Sequence, residues 1–158
     1  YNTNIVIAVL DNQITAMTGH QPSPSSGYAA TGEKTEVIKI ERILEASGIR
    51  KTRVVNPFNL QETKEAFKEL LRENGPSAIV LRGACALVAR RMGVISKASA
   101  VDPEKCRACQ LCIRTLCCPA MSIVSGGKVV IDPATCTGCG LCSQICASDA
   151  ITPLEAQR

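Results

Sequence analysis

The chain has 158 residues, ten of them cysteines, and carries 18 Lys and Arg against 14 Asp and Glu for a formal net charge of +4. With 46% apolar and 20% charged residues it has a globular balance, which excludes disorder as its main state, and no apolar run approaches the ~20 residues that a spanning helix needs, so no membrane is expected. The only aromatic side chains are Tyr1, Tyr28, Phe58 and Phe67, too few for a stacking platform, and no nucleic-acid partner is expected.

No basic region of a secretory signal precedes the first apolar segment. The chain opens directly into that segment, which reads as the interior of a longer protein. Residues 5–10 form a continuous, mostly β-branched apolar run, the pattern of a strand buried on both faces. A long loop over 11–33 follows, and loops of that length without regular structure are usually functional. The pattern then predicts a helix over 34–46, with Val37, Ile40 and Leu44 on one stripe and Gly48 as C-cap. A second strand is expected over 53–55. Asn59, with Glu62 three residues on, signs a helix start. That helix runs to about Asn74, with Leu60, Phe67, Leu70 and Leu71 inward, and Gly75-Pro76 ends it. Residues 78–81 read as a third strand. This β-α-β-α-β order implies a parallel sheet with right-handed crossovers. Three strands make a thin sheet, so residues 1–97 are expected to be the C-terminal piece of a larger α/β domain, and 98–158 a second domain. Cys85, just past the end of the third strand, reads as a buried structural thiol.

Residues 98–158 contain an internal repeat. Val101-Asp102-Pro103-Glu104-Lys105-Cys106 aligns with Ile131-Asp132-Pro133-Ala134-Thr135-Cys136. Cys106, Cys109 and Cys112 then align with Cys136, Cys139 and Cys142, and each half ends in a further cysteine and a small apolar segment. Neither half has enough apolar residues for a core, so a metal staple is expected at this size. Zinc ribbons use paired C-x2-C knuckles with a longer spacer. Two C-x2-C-x2-C runs with trailing cysteines instead follow the bacterial ferredoxin pattern, in which the fourth ligand crosses to the other cluster. Cys106, Cys109, Cys112 and Cys146 are therefore expected to hold one [4Fe-4S] cluster, and Cys136, Cys139, Cys142 and Cys118 the other. The first run departs from the pattern, with five residues before Cys118 where three are usual, and Cys117 could substitute for it. In the second run Ala147 replaces the usual proline. Two such clusters make a one-electron relay. Each oxidised cluster with its four thiolates carries about two negative charges, which would bring an otherwise balanced C-terminal part to about −4. Thiolates held for metal need a reducing compartment, so a cytoplasmic location is expected.

The long loop begins where ligands bind in parallel α/β sheets, beyond the carboxyl ends of the strands. It contains the only histidine, His20. A strand ending in Asp11-Asn12 and followed by Met17-Thr18-Gly19-His20-Gln21 and Ser23-Pro24 resembles the thiamine diphosphate region of the 2-oxoacid:ferredoxin oxidoreductases. Fusion to a double-cubane domain is most similar to the indolepyruvate type. Pyruvate-type relatives more often show Gly-Gly-Gln at Gly19-His20-Gln21. The resemblance implies a parallel-sheet piece of a thiamine-diphosphate-binding domain, followed by a small α+β bacterial-type 2[4Fe-4S] ferredoxin domain. It implies a magnesium ligand at Asn12 and a second at the Ile14 carbonyl. Met17, Thr18, Gly19, His20 and Gln21 would line cofactor or substrate, with His20 contacting the oxoacid or the thiazolium adduct as the candidate catalytic residue. It further implies oxidative decarboxylation of an aryl 2-oxoacid to an acyl-CoA. Coenzyme A, a second (beta) subunit and an external ferredoxin would be the partners. Alternatives of the same sequence are a pyruvate-type enzyme and an electron-transfer protein with an α/β docking module. No Gly-Asp-Gly occurs in the chain. This leaves half the magnesium clamp unaccounted for, so the chain alone is expected to bind thiamine diphosphate poorly or not at all.

Overall fold

The computed structural model of the chain describes residues 3–91 and 98–154. It divides into two compact units, Tyr1–Val88 and Ala89–Arg158. The expected boundary after Lys97 borders residues 92–97, which lie outside the described residues.

The first unit is built on a three-stranded parallel sheet of β1 (Val6–Asp11), β4 (Lys51–Val55) and β5 (Ser77–Arg82), in the order β1-β5-β4. The central strand β5 is the most apolar and the most buried, with Ala78, Ile79 and Val80 each 0% exposed. Between β4 and β5 runs α2 (Leu60–Leu70). Its N-terminus is capped as the sequence predicts: Asn59 Oδ1 accepts the Glu62 amide at 3.2 Å, and Asn59 Nδ2 donates to Glu62 Oε2 at 3.2 Å. The first of these bonds satisfies one of the amide donors that the first helical turn leaves open. Ala66 and Leu70 of α2 pack with Val55 and Ile79, with Val6, Phe67 and Leu81 around them. The other helix, α1 (Ile40–Ala46), contacts β4 and β5. It ends as expected at Gly48, in a Schellman turn with Gly48 N–H on Glu45 O at 2.9 Å and Ile49 N–H on Leu44 O at 3.0 Å.

Four expectations are corrected. Strand β1 is not buried on both faces. It pairs with β5 alone among the described residues, and Leu10 is 77% exposed; apolar composition does not separate a central strand from an outer one. Residues 34–39 are not helical. The Thr35 amide donates to Gly27 O at 2.9 Å and the Ile38 amide to Pro24 O at 3.0 Å. The long-range ties thus hold this β-branched stretch extended. Helix α2 stops at Leu70, so Leu71 lies one residue off the buried stripe and is exposed. Finally, the 11–33 segment is not without regular structure. It folds into a small antiparallel hairpin of β2 (Ile14–Thr15) and β3 (Gln21–Pro22). The chain reverses through Gly19 (φ 109°) and His20 (φ 65°), the former in a region that side-chain-bearing residues avoid.

The second unit is a pseudo-twofold structure. After α3 (Ala86–Arg91), which spans the division between the units, β6 (Ser99–Val101) pairs antiparallel with β9 (Ile151–Pro153), and β7 (Met121–Ile123) with β8 (Val129–Ile131). A shift of thirty residues carries β6 onto β8 and β7 onto β9. The hydrogen bonds follow the same operation. The Asp102 amide donates to Ala150 O at 2.7 Å and the Asp132 amide to Ala120 O at 2.8 Å. Two short helices, α4 (Leu111–Leu116) and α5 (Leu141–Ile145), pack on each other. The core is small: Cys112, Met121, Val129, Cys142 and Ile151. Two of these five are cysteines. Among the described residues no helix is long and apolar enough to cross a membrane.

Candidate functional site

In each half of the second unit an aspartate shapes the approach to the cysteine run. The Cys106 amide donates to Asp102 O at 3.0 Å, and the Cys136 amide to Asp132 O at 2.9 Å. The aspartate side chains accept from Glu104 and Ala134 amides, each at 2.9 Å. Left-handed residues then coil both runs: Ala108 (φ 54°) and Gln110 (φ 58°) in the first, Gly138 (φ 71°) and Gly140 (φ 72°) in the second. Such turns direct successive backbone amides inward.

The second run encloses a cavity of about 210 Å³ lined by Cys136, Cys139 and Cys142 together with Cys118 from the other half, and by Ser99 and Leu116. The amides of Ser99 and Gly138 both donate to Cys136 Sγ, at 3.4 Å. Burial pushes the Cys142 thiol up, the Ser99 side chain bonds to it and works downward, and the thiols of Cys139 and Cys136 push it up again.

On the opposite side of the repeat, Cys112 is buried and lies beside Cys146 and Cys109. Burial pushes its thiol up first, and those two neighbours add to the effect. Cys146 Sγ accepts the Ala150 amide at 3.3 Å and lies 3.5 Å from Ser148 Oγ. Burial alone would raise the Cys146 thiol; the Ser148 hydroxyl and the amides of Ala150, Ser148 and Ile151 outweigh it and hold the thiol low. Cys136 and Cys146 thus meet N–H or O–H donors, which favour the thiolate, whereas burial favours the thiol at Cys112 and Cys142. Cys117 stands apart, exposed, in a left-handed conformation (φ 47°), with Sγ 3.8 Å from Arg114 O. No three His, Cys, Asp or Glu side chains among the described residues sit at the spacing one metal ion requires.

In the first unit the predicted residues gather at the carboxyl end of β1. Asn12 is exposed, and its Oδ1 accepts the Ile14 amide at 3.1 Å. This turn brings Asn12 and Ile14 together. The Asn12 carbonyl is fixed by the Cys85 amide at 3.2 Å, and Cys85 is half-buried rather than fully buried. The hairpin tip presents Met17, 97% exposed. Thr18 Oγ1 donates to Gln21 Oε1 at 2.7 Å, and Gln21 Nε2 donates back to the Thr18 carbonyl. His20 is half-buried at the turn into β3.

Sequence reasoning missed the ion triad that anchors this edge. Asp11, 4% exposed, accepts from Arg82 Nε at 2.8 Å and from Ser25 Oγ at 2.5 Å. Arg82 Nη2 also reaches Glu41 Oε2 at 2.7 Å. Burial pushes the Asp11 carboxyl up, but bonds from Arg82, Ser25 and the Gln13 amide, with the Arg82 charge, bring it below the usual carboxylate range. Asp11 is thus committed to Arg82. The donors left for a magnesium ion are a neutral amide oxygen and a backbone carbonyl. That set fits half of a clamp, since Mg²⁺ sites normally include one or two carboxylates.

Residues 1–81 match the family described as "Thiamine pyrophosphate enzyme, C-terminal TPP binding domain", and residues 129–152 match "4Fe-4S binding domain". Three relatives each carry the name "Indolepyruvate oxidoreductase subunit IorA". The chain is 42% identical to that of Methanothermobacter thermautotrophicus, over 94% of this chain and 24% of the relative. It is 36% identical to that of Archaeoglobus fulgidus, over 99% of this chain and 25% of the relative. It is 38% identical to that of Thermococcus kodakarensis, over 98% and 25%. The chain therefore spans about a quarter of the length of the curated relatives it matches. With a parallel sheet whose carboxyl edge carries the Asn12 turn, joined to a cysteine unit that includes an iron-sulfur-binding match, the chain belongs to the thiamine pyrophosphate enzymes, through their C-terminal TPP-binding domain.

Proposed function

We propose that this chain is part of an oxidoreductase that decarboxylates an aryl 2-oxoacid, of the indolepyruvate kind, to an acyl-CoA. In that reaction the bond to the carboxylate breaks, carbon dioxide leaves, a thioester forms with coenzyme A, and an electron pair and a proton are released. The electrons pass singly through two [4Fe-4S] clusters to two molecules of an external ferredoxin. A second (beta) subunit completes the enzyme, which works in the reducing cytoplasm. The observation that carries this reading is the union, in one chain, of a TPP-binding unit with a duplicated cysteine unit. The names of the relatives supply the substrate class.

Residues 1–97 serve the thiamine diphosphate side and 98–158 the relay. Bound thiamine diphosphate supplies carbanion stabilisation. Asn12 Oδ1 and the Ile14 carbonyl would hold one side of the Mg²⁺, with a carboxylate from outside these residues on the other. Met17, Thr18, Gly19, His20 and Gln21 would border cofactor and oxoacid, with His20 the catalytic candidate. In the relay, Cys106, Cys109, Cys112 and Cys146 would hold one cluster; the pairing of Cys112 with Cys109 and Cys146 supports this set. Cys118, Cys136, Cys139 and Cys142 would hold the other, supported by their shared cavity.

Iron and acid-labile sulfide analysis of the anaerobic chain, with EPR after reduction, tests the relay. About eight irons are expected from two cubanes; four or fewer would sink the two-cluster reading. Thiamine diphosphate titration of the intact enzyme tests the rest. Absence of binding there would leave an electron-transfer protein with an α/β docking module, and turnover of pyruvate in preference to aryl oxoacids would reassign the substrate.

A further inference from the structure

We propose that the face of the second unit around Cys109 docks an acidic protein electron carrier, and that electrons leave the chain from the cluster held by Cys106, Cys109, Cys112 and Cys146. The inference deepens the relay proposed above and rests on its two-cluster reading.

The two halves of the repeat align in their cysteines but not in their charges. Thirty residues on, the places of Lys105, Arg107 and Arg114 are taken by Thr135, Thr137 and Gln144. No Lys or Arg occurs between Asp132 and Leu154. Glu104, where the second half has Ala134, offsets only one of the first half's cations. Hydrogen bonds gather these cations on the rim of the first run. Arg114 Nη2 donates to Gln110 Oε1 at 3.2 Å, Gln110 Nε2 to Gly127 O at 3.3 Å, and the neighbouring Lys128 Nζ to Pro103 O at 2.6 Å. Lys105 Nζ lies 3.8 Å from Asp102 Oδ2, with its side chain largely in solvent. Arg107 and Arg114 are exposed, and among the described residues neither lies within ion-pair distance of a carboxylate.

Exposure follows the same asymmetry. Cys109 is exposed and Cys139 is half-buried; Leu111 is exposed and Leu141 is half-buried. The first run therefore brings its sulfur to the surface beside an apolar side chain and two unpaired arginines, a composition suited to a protein interface. Compensation of the cluster's own charge does not explain the cations. The second run would hold a cluster of the same charge and has none. A partner rich in carboxylates explains them, because complementary charge steers encounter and fixes orientation. In each encounter the carrier gains one electron and is reduced, and the cluster beneath Cys109 is reoxidised. No bond or proton is exchanged, and two encounters discharge the pair released by one oxoacid.

The test uses the intact, cluster-loaded enzyme under anaerobic conditions, with a bacterial-type 2[4Fe-4S] ferredoxin of net negative charge as the probe. Arg107→Thr with Arg114→Gln copies the occupants of the equivalent positions. At low ionic strength it should raise KM for the ferredoxin at least fivefold, with kcat kept, and flatten the salt dependence of KM. Arg107→Lys with Arg114→Lys, which keeps the charge, should stay near the parent. Lys64→Gln with Lys68→Gln, an equal loss of charge from exposed positions of α2, should leave KM unmoved. Carbodiimide coupling of the ferredoxin's carboxylates to the enzyme, mapped by mass spectrometry, should mark Lys105. An unmoved KM in the Thr/Gln variant with its full iron, an equal rise in the α2 variant, or coupling confined to lysines other than Lys105 and Lys128 would each overturn the proposal. If the Thr/Gln variant loses iron, the coupling map of the parent decides. A cluster-loaded enzyme that reduces no ferredoxin would sink the relay reading instead, whereas ferredoxin reduction with KM unmoved and Lys105 uncoupled would sink this inference alone.

Discussion

Leu116 occupies in the first half of the repeat the place that Cys146 occupies in the second: each lies four residues after the third cysteine of its run. Leu116 ends α4 and lines the cavity of Cys136, Cys139 and Cys142, but the sulfur that lines the same cavity comes two residues later, from Cys118. The left-handed Cys117 makes this possible by turning the chain between them. Cys118→Ala should therefore lower the iron content from about eight to about four per chain, and Cys117→Ala should leave it unchanged. The reverse result in iron analysis would make Cys117 the ligand.

The Asp11–Arg82 pair gives the first unit a definite pH response. Asp11 has a lowered carboxyl, so its contribution is complete above the unfolded value of about 3.9 and is lost as pH falls through the depressed folded value. Stability of the β1–β5 pairing should accordingly drop below about pH 4. Arg82→Met leaves Asp11 buried without its cation and should cost about 3 kcal/mol at neutral pH. Asp11→Asn should remove most of the acid dependence. Urea titrations across pH, with hydrogen exchange of the β1 and β5 amides, check both; an unaltered acid limb in Asp11→Asn would refute this assignment.

Asn59 caps α2 through its exchange with Glu62. Asn59→Ala should cost about 1 kcal/mol, and Asn59→Asp should cost little, because Asp also accepts the Glu62 amide. Urea denaturation followed by helical circular dichroism measures the difference.

At the carboxyl end of β1, the intact enzyme is the proper test object. Asn12→Ala should weaken Mg²⁺-dependent thiamine diphosphate binding at least tenfold, since it removes the only side-chain magnesium ligand proposed for this chain. His20→Ala should reduce turnover while binding is retained. Unchanged turnover in His20→Ala would dispose of its catalytic role, and calorimetry with turnover assays separates the two effects.

Local patterns made much of this molecule legible. The apolar run of β5, the Asn59–Glu62 cap and Gly48 all act within a few residues, and each is found where its pattern indicates. The thirty-residue repeat was equally plain from its aspartates and cysteines. What local patterns could not show depends on distant partners. Residues 34–39 carry helix-compatible spacing, yet the Thr35 and Ile38 amides are claimed by Gly27 and Pro24. Arg82 and Glu41 lie far from Asp11 in sequence and meet it only once the sheet and α1 assemble. Ser99 carries no pattern of its own; only the assembled cavity brings it among the cysteines, and the alignment of the halves sets it opposite Val129.

The reciprocal bonds from Asp102 to Ala150 and from Asp132 to Ala120 mean that each half closes its ribbon with a strand lent by the other. Two separate copies of one short peptide could make the same exchange. The second unit thus has the architecture of a homodimer joined into one chain, so that loosening either ribbon loosens both halves at once.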